Sequence, residues 1–541
     1  MGVDFTDNTC RGPDSSRHSK NLEALSNMGK LFMRGLAIAL SVVFLAGMAF
    51  GQADSGGPAK NVILMIGDGM GFNTAQLGIL GNSAVADLFN GGFTVSLGVT
   101  TYSITSTTPT SNHNPAGYDP NRYWNGGAAG RQAPVTGQGV QTTDSAEAIT
   151  AMMTGQKTSA GLNWNNAANR PMDDHIALDV AKGLGMKIGA VSTVPASHAT
   201  PGGVGAHNAD RNQYVAIFDE MIGNLDLVFG AGARNLGAQQ ITSTYLVGSN
   251  TWSTLTSANP VIKGTSYEML RTKADFQAYA NETKDWANSG KDKVVGIFNA
   301  SDSRYDTLRV QGATAYNALP SLTDMSLASL NILDSMSGDN GFFVMLEGGG
   351  IDWANHVGPS LVQANVLAEV NDFMSAVLAV YQWITDNNMW EDTLLIVTAD
   401  HETGDIWGKA GFGNVPTSTT DFAGNYTSHT NALVPLWAAG AGSDLFVDYI
   451  YGQDTRAAST WNGVAGFGEW DGSYIDNINI YDVMFAAMNR EPLPPLPPDP
   501  PEPPLPPEPS PTPEPTTLLL LTAGCALLGL GRKKFLKSDA C

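Results

Sequence analysis

The sequence predicts an α/β fold: a three-layer sandwich with a mostly parallel central sheet flanked by helices, and a metal site at the carboxyl ends of the strands. Three observations predict it. First, four short and continuously apolar runs occur at Asn61–Ile66, Met186–Val191, Gly341–Leu346 and Thr393–Thr398. Such runs, rich in β-branched residues, read as strands buried on both faces, as in a parallel sheet. Second, segments of helical spacing lie between them. Third, each run is followed by side chains that ligate divalent cations: Asp68 after the first, His198 and Thr200 after the second, Glu347, Asp352 and His356 after the third, Asp400 and His401 after the fourth. In open α/β sheets the active site lies in the crevice beyond the carboxyl ends of the strands.

The whole chain sets bounds on this reading. At 541 residues it accommodates one large α/β domain with appendages. The formal net charge is −22 and the body holds no Lys/Arg cluster, which argues against nucleic acid as a partner. The only cysteines are Cys10, Cys525 and Cys541, all in terminal segments. Thiolate metal sites, cysteine nucleophiles and disulfides are therefore excluded from the body.

At the N-terminus, Lys30 and Arg34 precede the apolar stretch Gly35–Ala49, then Gly51 and Ala53. This is the order of a secretory signal peptide within residues 1–53, with residues 1–27 an upstream extension of the start; a retained membrane anchor is the alternative. The folded domain is expected over residues 59–490. After the first strand, Ser103–Pro134 is rich in Ser, Thr, Asn, Gly and Pro and reads as a long surface insertion.

Next comes TTDSAEAITAMMTG, in which Asp144 and Ser145 precede the helix former Ala146–Met153. Ser145 thus stands at a helix N-terminus, where free N–H groups and the helix dipole favour an anion such as phosphate. The plainer alternative is that Asp144 or Ser145 only caps the helix. Beyond the second run, DLVFG at Asp226–Gly230 is a short strand and Ser266–Asn281 a helix. Leu361–Asn387 carries Leu361, Val366, Val370, Phe373, Val377 and Val380 at helical spacing.

Asp352 and His356 are four apart in a segment that can open a helix, so both can reach one metal. Asp400 and His401 are adjacent, and both can ligate only if the chain turns there, which Gly404 allows. His429, in NYTSHTNALVPLW, precedes a further apolar run. Read alone it is as well explained by a structural hydrogen bond as by a metal.

The chain ends in a Pro/Glu tract, residues 491–515, that reads as an extended spacer. A short apolar stretch, Thr516–Gly531, follows, and then Arg532, Lys533, Lys534 and Lys537. The apolar stretch is shorter than the ~20 residues of a comfortable spanning helix, and the basic end would stay cytoplasmic. With Pro513–Glu514–Pro515, residues 516–541 resemble the PEP-CTERM sorting signal of Gram-negative bacteria. That resemblance implies transient inner-membrane anchoring, processing by an exosortase, and delivery to the periplasm, outer surface or extracellular matrix. A simple C-terminal anchor is the alternative.

Taken together, IGDGMG, TDSAEAITAMMTG, HATPGGVGAHNADRN, LEGGGIDWANH, TADHETG and TSHT resemble the alkaline phosphatase family, in the family's order and across most of Asn61–Leu436. The resemblance implies hydrolysis of small phosphate monoesters through a phosphoserine, with two Zn2+ and one Mg2+, and allows a homodimer. By motif, Asp352, His356 and His429 would hold the first zinc. Asp68, Asp400 and His401 would hold the second, beside Ser145. Asp68, Thr200 and Glu347 would hold the magnesium, with His198 in or near its shell. Arg211 would clamp the substrate phosphate. The donor types agree: imidazole with carboxylate suits zinc, an all-oxygen set suits magnesium.

The chain departs from some members of the family. Trp353 stands where many carry a basic or imidazole side chain, and His198 where some carry a carboxylate. The span from His401 to His429 leaves little room for a large insertion. Among rival readings, a sulfatase needs a Cys/Ser-x-Pro-x-Arg motif, and Ser145 is followed by Ala-Glu-Ala. A phosphodiesterase of the same superfamily usually lacks the third metal site that Thr200 and Glu347 would build. A non-catalytic surface or matrix protein of this fold should have lost at least one ligand.

Overall fold

A computed structural model describes residues 58–489, except 160, 237, 238, 243, 244, 247, 248 and 301. The segments read as a signal peptide, a Pro/Glu spacer and a sorting signal, with all three cysteines, lie outside the described residues. Among the described residues no helix is long and apolar enough to cross a membrane.

The fold is built on one 13-stranded sheet. In chain order its main strands are β1 (Asn61–Ile66), β2 (Val95–Thr100), β3 (Lys187–Pro195), β4 (Leu227–Leu236), β5 (Thr265–Leu270), β6 (Lys293–Asn299), β7 (Phe342–Glu347), β8 (Thr393–Thr398), β9 (Val434–Gly440) and β10 (Ser473–Asp476). Their order across the sheet is β5-β6-β4-β3-β7-β1-β8-β9-β2-β10, with three shorter strands added. The seven from β5 to β8 are mutually parallel, and β9 runs antiparallel to both its neighbours. The four apolar runs are β1, β3, β7 and β8. Every residue of β1, β7 and β8 is buried, as two covered faces require.

The helices that matter for the site are α1 (Phe72–Gly81), α2 (Ser145–Thr154), α3 (Ala199–Gly205), α4 (Tyr214–Asn224), α5 (Gly350–Asn355) and α6 (Gln363–Asp386). The long helix α6 buries Val366, Val370, Phe373, Val377 and Val380, the stripe its spacing predicts.

Two expectations change. Ser266–Asn281 is not one helix. Its first part is β5, in which Tyr267–Leu270 pair in parallel with β6. A helix starts only at Lys273, where Thr272 and Asp275 form a capping box. The Ser103–Pro134 insertion is more than a surface loop. It contains short helices at Pro120–Asn125 and Gly127–Gln132, and it buries Tyr118, Tyr123 and Trp124 in the main core. Aromatic burial supplies the ordering that its polar composition hides.

The strand order decides where the chemistry collects. β3, β7, β1 and β8 are neighbours, and their ends are in register: Ser192 lies beside Glu347, and Ile66 pairs with both Glu347 and Thr398. Four carboxyl ends therefore open on one patch, which holds Glu347 at the end of β7 and, just beyond the strands, Asp68, His198, Asp352 and Asp400.

Candidate metal and nucleophile centre

Each site residue arrives by a local device. Asp68 sits in the turn between β1 and α1. Gly69 follows with φ +70°, and a Cβ there would stand 2.8 Å from Thr403 Oγ1 and 2.9 Å from Asp352 Cα. Only glycine allows both the left-handed backbone and that close approach. Asp352 lies on α5 and His356 closes it. After β8 the chain turns at Asp400–His401, then Glu402–Thr403 pairs antiparallel with His429–Thr430, which brings His429 back over His401. The two rings stack with centroids 3.6 Å apart.

Three overlapping sets of side chains converge, each with ligand atoms within 4.8 Å of one another: Asp352, His356 and His429; Asp68, Asp352 and His401; Asp144, His401 and His429. The first is the expected first zinc set. Asp400 joins the second, with Oδ2 3.3 Å from His401 Nε2, while Asp68 Oδ1 lies 3.6 Å away from the same nitrogen.

The hydrogen bonds around these groups fix which atoms face inward. His356 Nδ1 donates to the Thr427 carbonyl at 2.8 Å, and His429 Nδ1 to the Thr143 carbonyl at 2.9 Å. Both Nε2 atoms then point into the site, 3.2 Å apart. Two such lone pairs repel unless a proton or a cation lies between them. Thr403 Oγ1 donates to Asp352 Oδ1 at 2.5 Å, so it can only accept from His401 Nδ1, 3.3 Å away. His401 Nε2 is thereby left as a lone pair, 3.2 Å from Ser145 Oγ. Backing of this kind, with the distal ring nitrogen tied down, orients metal-ligating histidines.

The electrostatics call for positive charge. Burial, with Asp400, Asp352 and Glu347 nearby, raises the Asp68 carboxyl well above its ordinary value. Burial also pushes Glu347 up to about 8, against hydrogen bonds from Ser192 and Thr200, and lifts Asp400 to about 6. Burial alone would raise Asp352 too, but His356 and His429 hold it well below its usual range. Burial would lower His429, but Asp352, with the Thr143 carbonyl and Asp144, raises it to about 9. Asp68 Oδ1 and Asp400 Oδ2 are buried, lie near each other, and make no well-aligned hydrogen bond. Glu347 Oε1 and Thr200 Oγ1, close together, make no well-aligned one either. Crowded carboxylates with bare oxygens, facing imidazole lone pairs, fit a cluster of divalent cations.

Ser145 is the first residue of α2, and Asp144 is its N-cap, accepting from Ser145 N at 2.9 Å. Asp144 therefore is the capping residue, and Ser145 keeps its hydroxyl free for the site. The other carboxylate oxygen of Asp144 accepts from Arg211, which places the guanidinium next to Ser145. His198 caps α3 and stands at the border, its buried Nδ1 without a hydrogen-bond partner. Burial and the charge of Arg211 hold it unprotonated, down to about 3.

Sequence reasoning did not single out Thr403, Ser192 or Arg131. Thr403 binds both Asp352 and His401. Ser192 donates to Glu347 Oε2 from the next strand. Arg131, in the insertion, makes a bidentate pair with Asp405 at 2.9–3.1 Å, and its carbonyl accepts from Asn431 N at 2.7 Å. It ties the insertion to the loop that carries His429. Thr403 was the findable one, two residues beyond His401.

The comparison with known proteins bears on this geometry directly. A family profile, Alkaline phosphatase, matches residues 59–460, most of the chain and every site residue above. The chain belongs to the alkaline phosphatase family. Among relatives in this family, alkaline phosphatase 3 of Bacillus subtilis is 29% identical over 272 residues, covering 48% of this chain and 49% of its own length. The human tissue-nonspecific alkaline phosphatase is 26% identical over 381 residues, covering 63% of each. The chain thus spans about half the length of the Bacillus relatives it matches. The crystal structure of Thermus thermophilus alkaline phosphatase shares the fold, with a TM-score of 0.51 at 17% identity over 81% of this chain and 93% of that one.

Proposed function

We propose that this chain hydrolyses phosphate monoesters to inorganic phosphate and an alcohol, through a phosphoserine formed at Ser145. The observation that carries this reading is the convergence on Ser145 Oγ of a helix N-terminus, an arginine, and the carboxylate and imidazole cluster. Membership of the alkaline phosphatase family supports it.

Asp352, His356 and His429 would hold one zinc; Asp68, Asp400 and His401 a second; Asp68, Thr200 and Glu347 a magnesium. Bound there, the metals would supply Lewis acidity for a serine nucleophile and for charge on the entering and leaving oxygens. The protein's own groups do the rest. The start of α2 turns the positive end of its helix dipole toward the phosphate. Arg211, steered by Asp144, aims its remaining N–H donors at the nonbridging oxygens. Ser145, its proton given up to solvent, attacks phosphorus. The P–O bond to the alcohol breaks on the opposite side, and the alkoxide takes a proton from water. A second water then attacks phosphorus, breaks the Ser145–phosphorus bond and returns a proton to the serine. Thr403, Thr427 and Thr143 hold the imidazole rings in place throughout.

We also propose that the enzyme works outside the inner membrane, after export by the N-terminal signal and processing of the PEP-CTERM tail. The intact mass of the protein from its native host tests this: a mature chain that retains Thr516–Cys541 contradicts processing.

Release of nitrophenol from mono- and bis-nitrophenyl phosphate, with and without chelator, tests the activity. Fast, chelator-sensitive cleavage of the monoester is expected. Faster cleavage of the diester would make the protein a diesterase, and no cleavage of either would make it a non-enzymatic member of the family.

A further inference from the structure

The catalytic cluster accounts for charged and polar groups, yet its border on the Arg211 side is aromatic. Trp353 follows Asp352 on α5, and its ring meets that of His198 edge-on, centroids 5.6 Å apart. The His198 ring lies parallel to that of Tyr214, to within 10°, at 6.4 Å. Tyr245 packs on Tyr214 at 4.6 Å. Tyr214 begins α4, three residues beyond Arg211, and its hydroxyl donates to Asn212 at 3.1 Å. Trp353, His198 and Tyr214 are all only partly buried, so ring surface remains open to solvent beside the site.

A metal and phosphate site does not need this. Charge on a phosphate is met by Arg211, by the helix N-terminus and by cations, none of which asks for exposed rings. Trp353 carries no charge to offer a phosphoryl group. Exposed aromatic faces next to a phosphate site do suit a planar group attached to the phosphate's own alcohol. Bases stack on such rings with little regard for their identity, because every base has a π face.

We propose that Trp353 and Tyr214, with His198 between them, form a platform that selects phosphate monoesters whose alcohol carries a planar base or aryl ring. This rests on the monoesterase reading given above and adds the leaving-group class to it. The platform binds the alcohol moiety and leaves the displacement at phosphorus unchanged.

The test compares adenosine 5′-phosphate with ribose 5-phosphate on the zinc- and magnesium-loaded protein. Both expel a primary alkoxide at the same carbon, so they differ by the base and not by the chemistry of the leaving oxygen. The wild-type kcat/KM is expected to favour the nucleotide by about tenfold. Tyr214→Leu and Trp353→Leu should each reduce that ratio severalfold, and Tyr214→Phe, which keeps the ring, should retain it. Reading a ratio within each variant cancels any general loss of activity or folded fraction. A wild-type ratio near one, or leucine variants that keep the wild-type ratio, would overturn the platform while leaving the monoesterase reading intact. Release of phosphate from neither ester would overturn both.

Discussion

His401 Nδ1 lies 3.3 Å from the Thr403 hydroxyl, which spends its proton on Asp352. One small side chain thus sets the tautomer of the imidazole facing Ser145 and anchors the carboxylate shared by two ligand sets. Thr403→Val keeps the shape and removes both bonds. Zinc affinity should fall by about 10- to 100-fold, the usual cost of losing such a backing group. Zinc titration of the stripped protein, followed by activity, measures it. An unchanged affinity would show that the site is held by packing alone.

The crowded carboxylates make a pH prediction. Folded Glu347 keeps its proton up to about 8, against 4.5 for an ordinary glutamate, and Asp68 is raised as well. His429 stays charged to about 9, against an ordinary 6.5. In each case the folded state holds a proton that the unfolded chain has released, so stability falls as pH rises. Buried His401 works in the opposite sense, but only below 6.5, where the unfolded histidine charges. The depressed Asp352 acts below 3.8. Chelated protein should therefore lose Tm steadily from about pH 6.5 to 9, while the metal-loaded protein changes far less. Thermal unfolding with and without chelator across that range checks it.

Glu347→Gln tests the third site. The amide removes the negative charge beside Thr200 and Asp68 but keeps a partner for Ser192. Turnover and magnesium response should drop while most zinc stays bound, as elemental analysis would show. Loss of all the zinc would mean that the three ligand sets do not behave as separate sites.

Arg131 tests the insertion. Its pair with Asp405 is largely sheltered, with side chains 12% and 3% exposed. Arg131→Ala strands a buried carboxylate and should cost about 3 kcal/mol of stability. The main-chain carbonyl of residue 131 that accepts from Asn431 N survives the substitution, so zinc binding at the set containing His429 should change far less than stability. Arg131→Lys should recover little, since an ammonium cannot reproduce the bidentate fork. Denaturant unfolding of the two variants decides the point.

Most of the frame was legible in the sequence because parallel strands buried on both faces leave a plain mark: uninterrupted apolar runs that stop at polar residues. β1, β7 and β8 are such runs. β5 was not legible, since Thr265–Leu270 mixes polar and apolar residues near the edge of the sheet and runs almost directly into the helix capped by Thr272. Asp68, Glu347, Asp400 and His401 could be singled out because they close or follow apolar runs, and Ser145 because it opens a helix, whereas His429 and Arg211 took their roles only from the family resemblance. Their partners across space could not be read at all. Ser192 is one of many serines until β3 is known to lie beside β7, and the pair of Arg131 and Asp405 joins positions with no sequence relation. The insertion was misjudged because its composition is polar, whereas its fold rests on three aromatic side chains, Tyr118, Tyr123 and Trp124.

The most direct test is the phosphoenzyme. The zinc-loaded protein is mixed with a phosphate monoester or inorganic phosphate at acid pH, quenched, digested and mapped by mass spectrometry. A single phosphate on Ser145, lost after chelation and in Ser145→Ala, is the predicted result. Phosphatase turnover with no phosphate on Ser145, or at an undiminished rate in Ser145→Ala, would contradict the account.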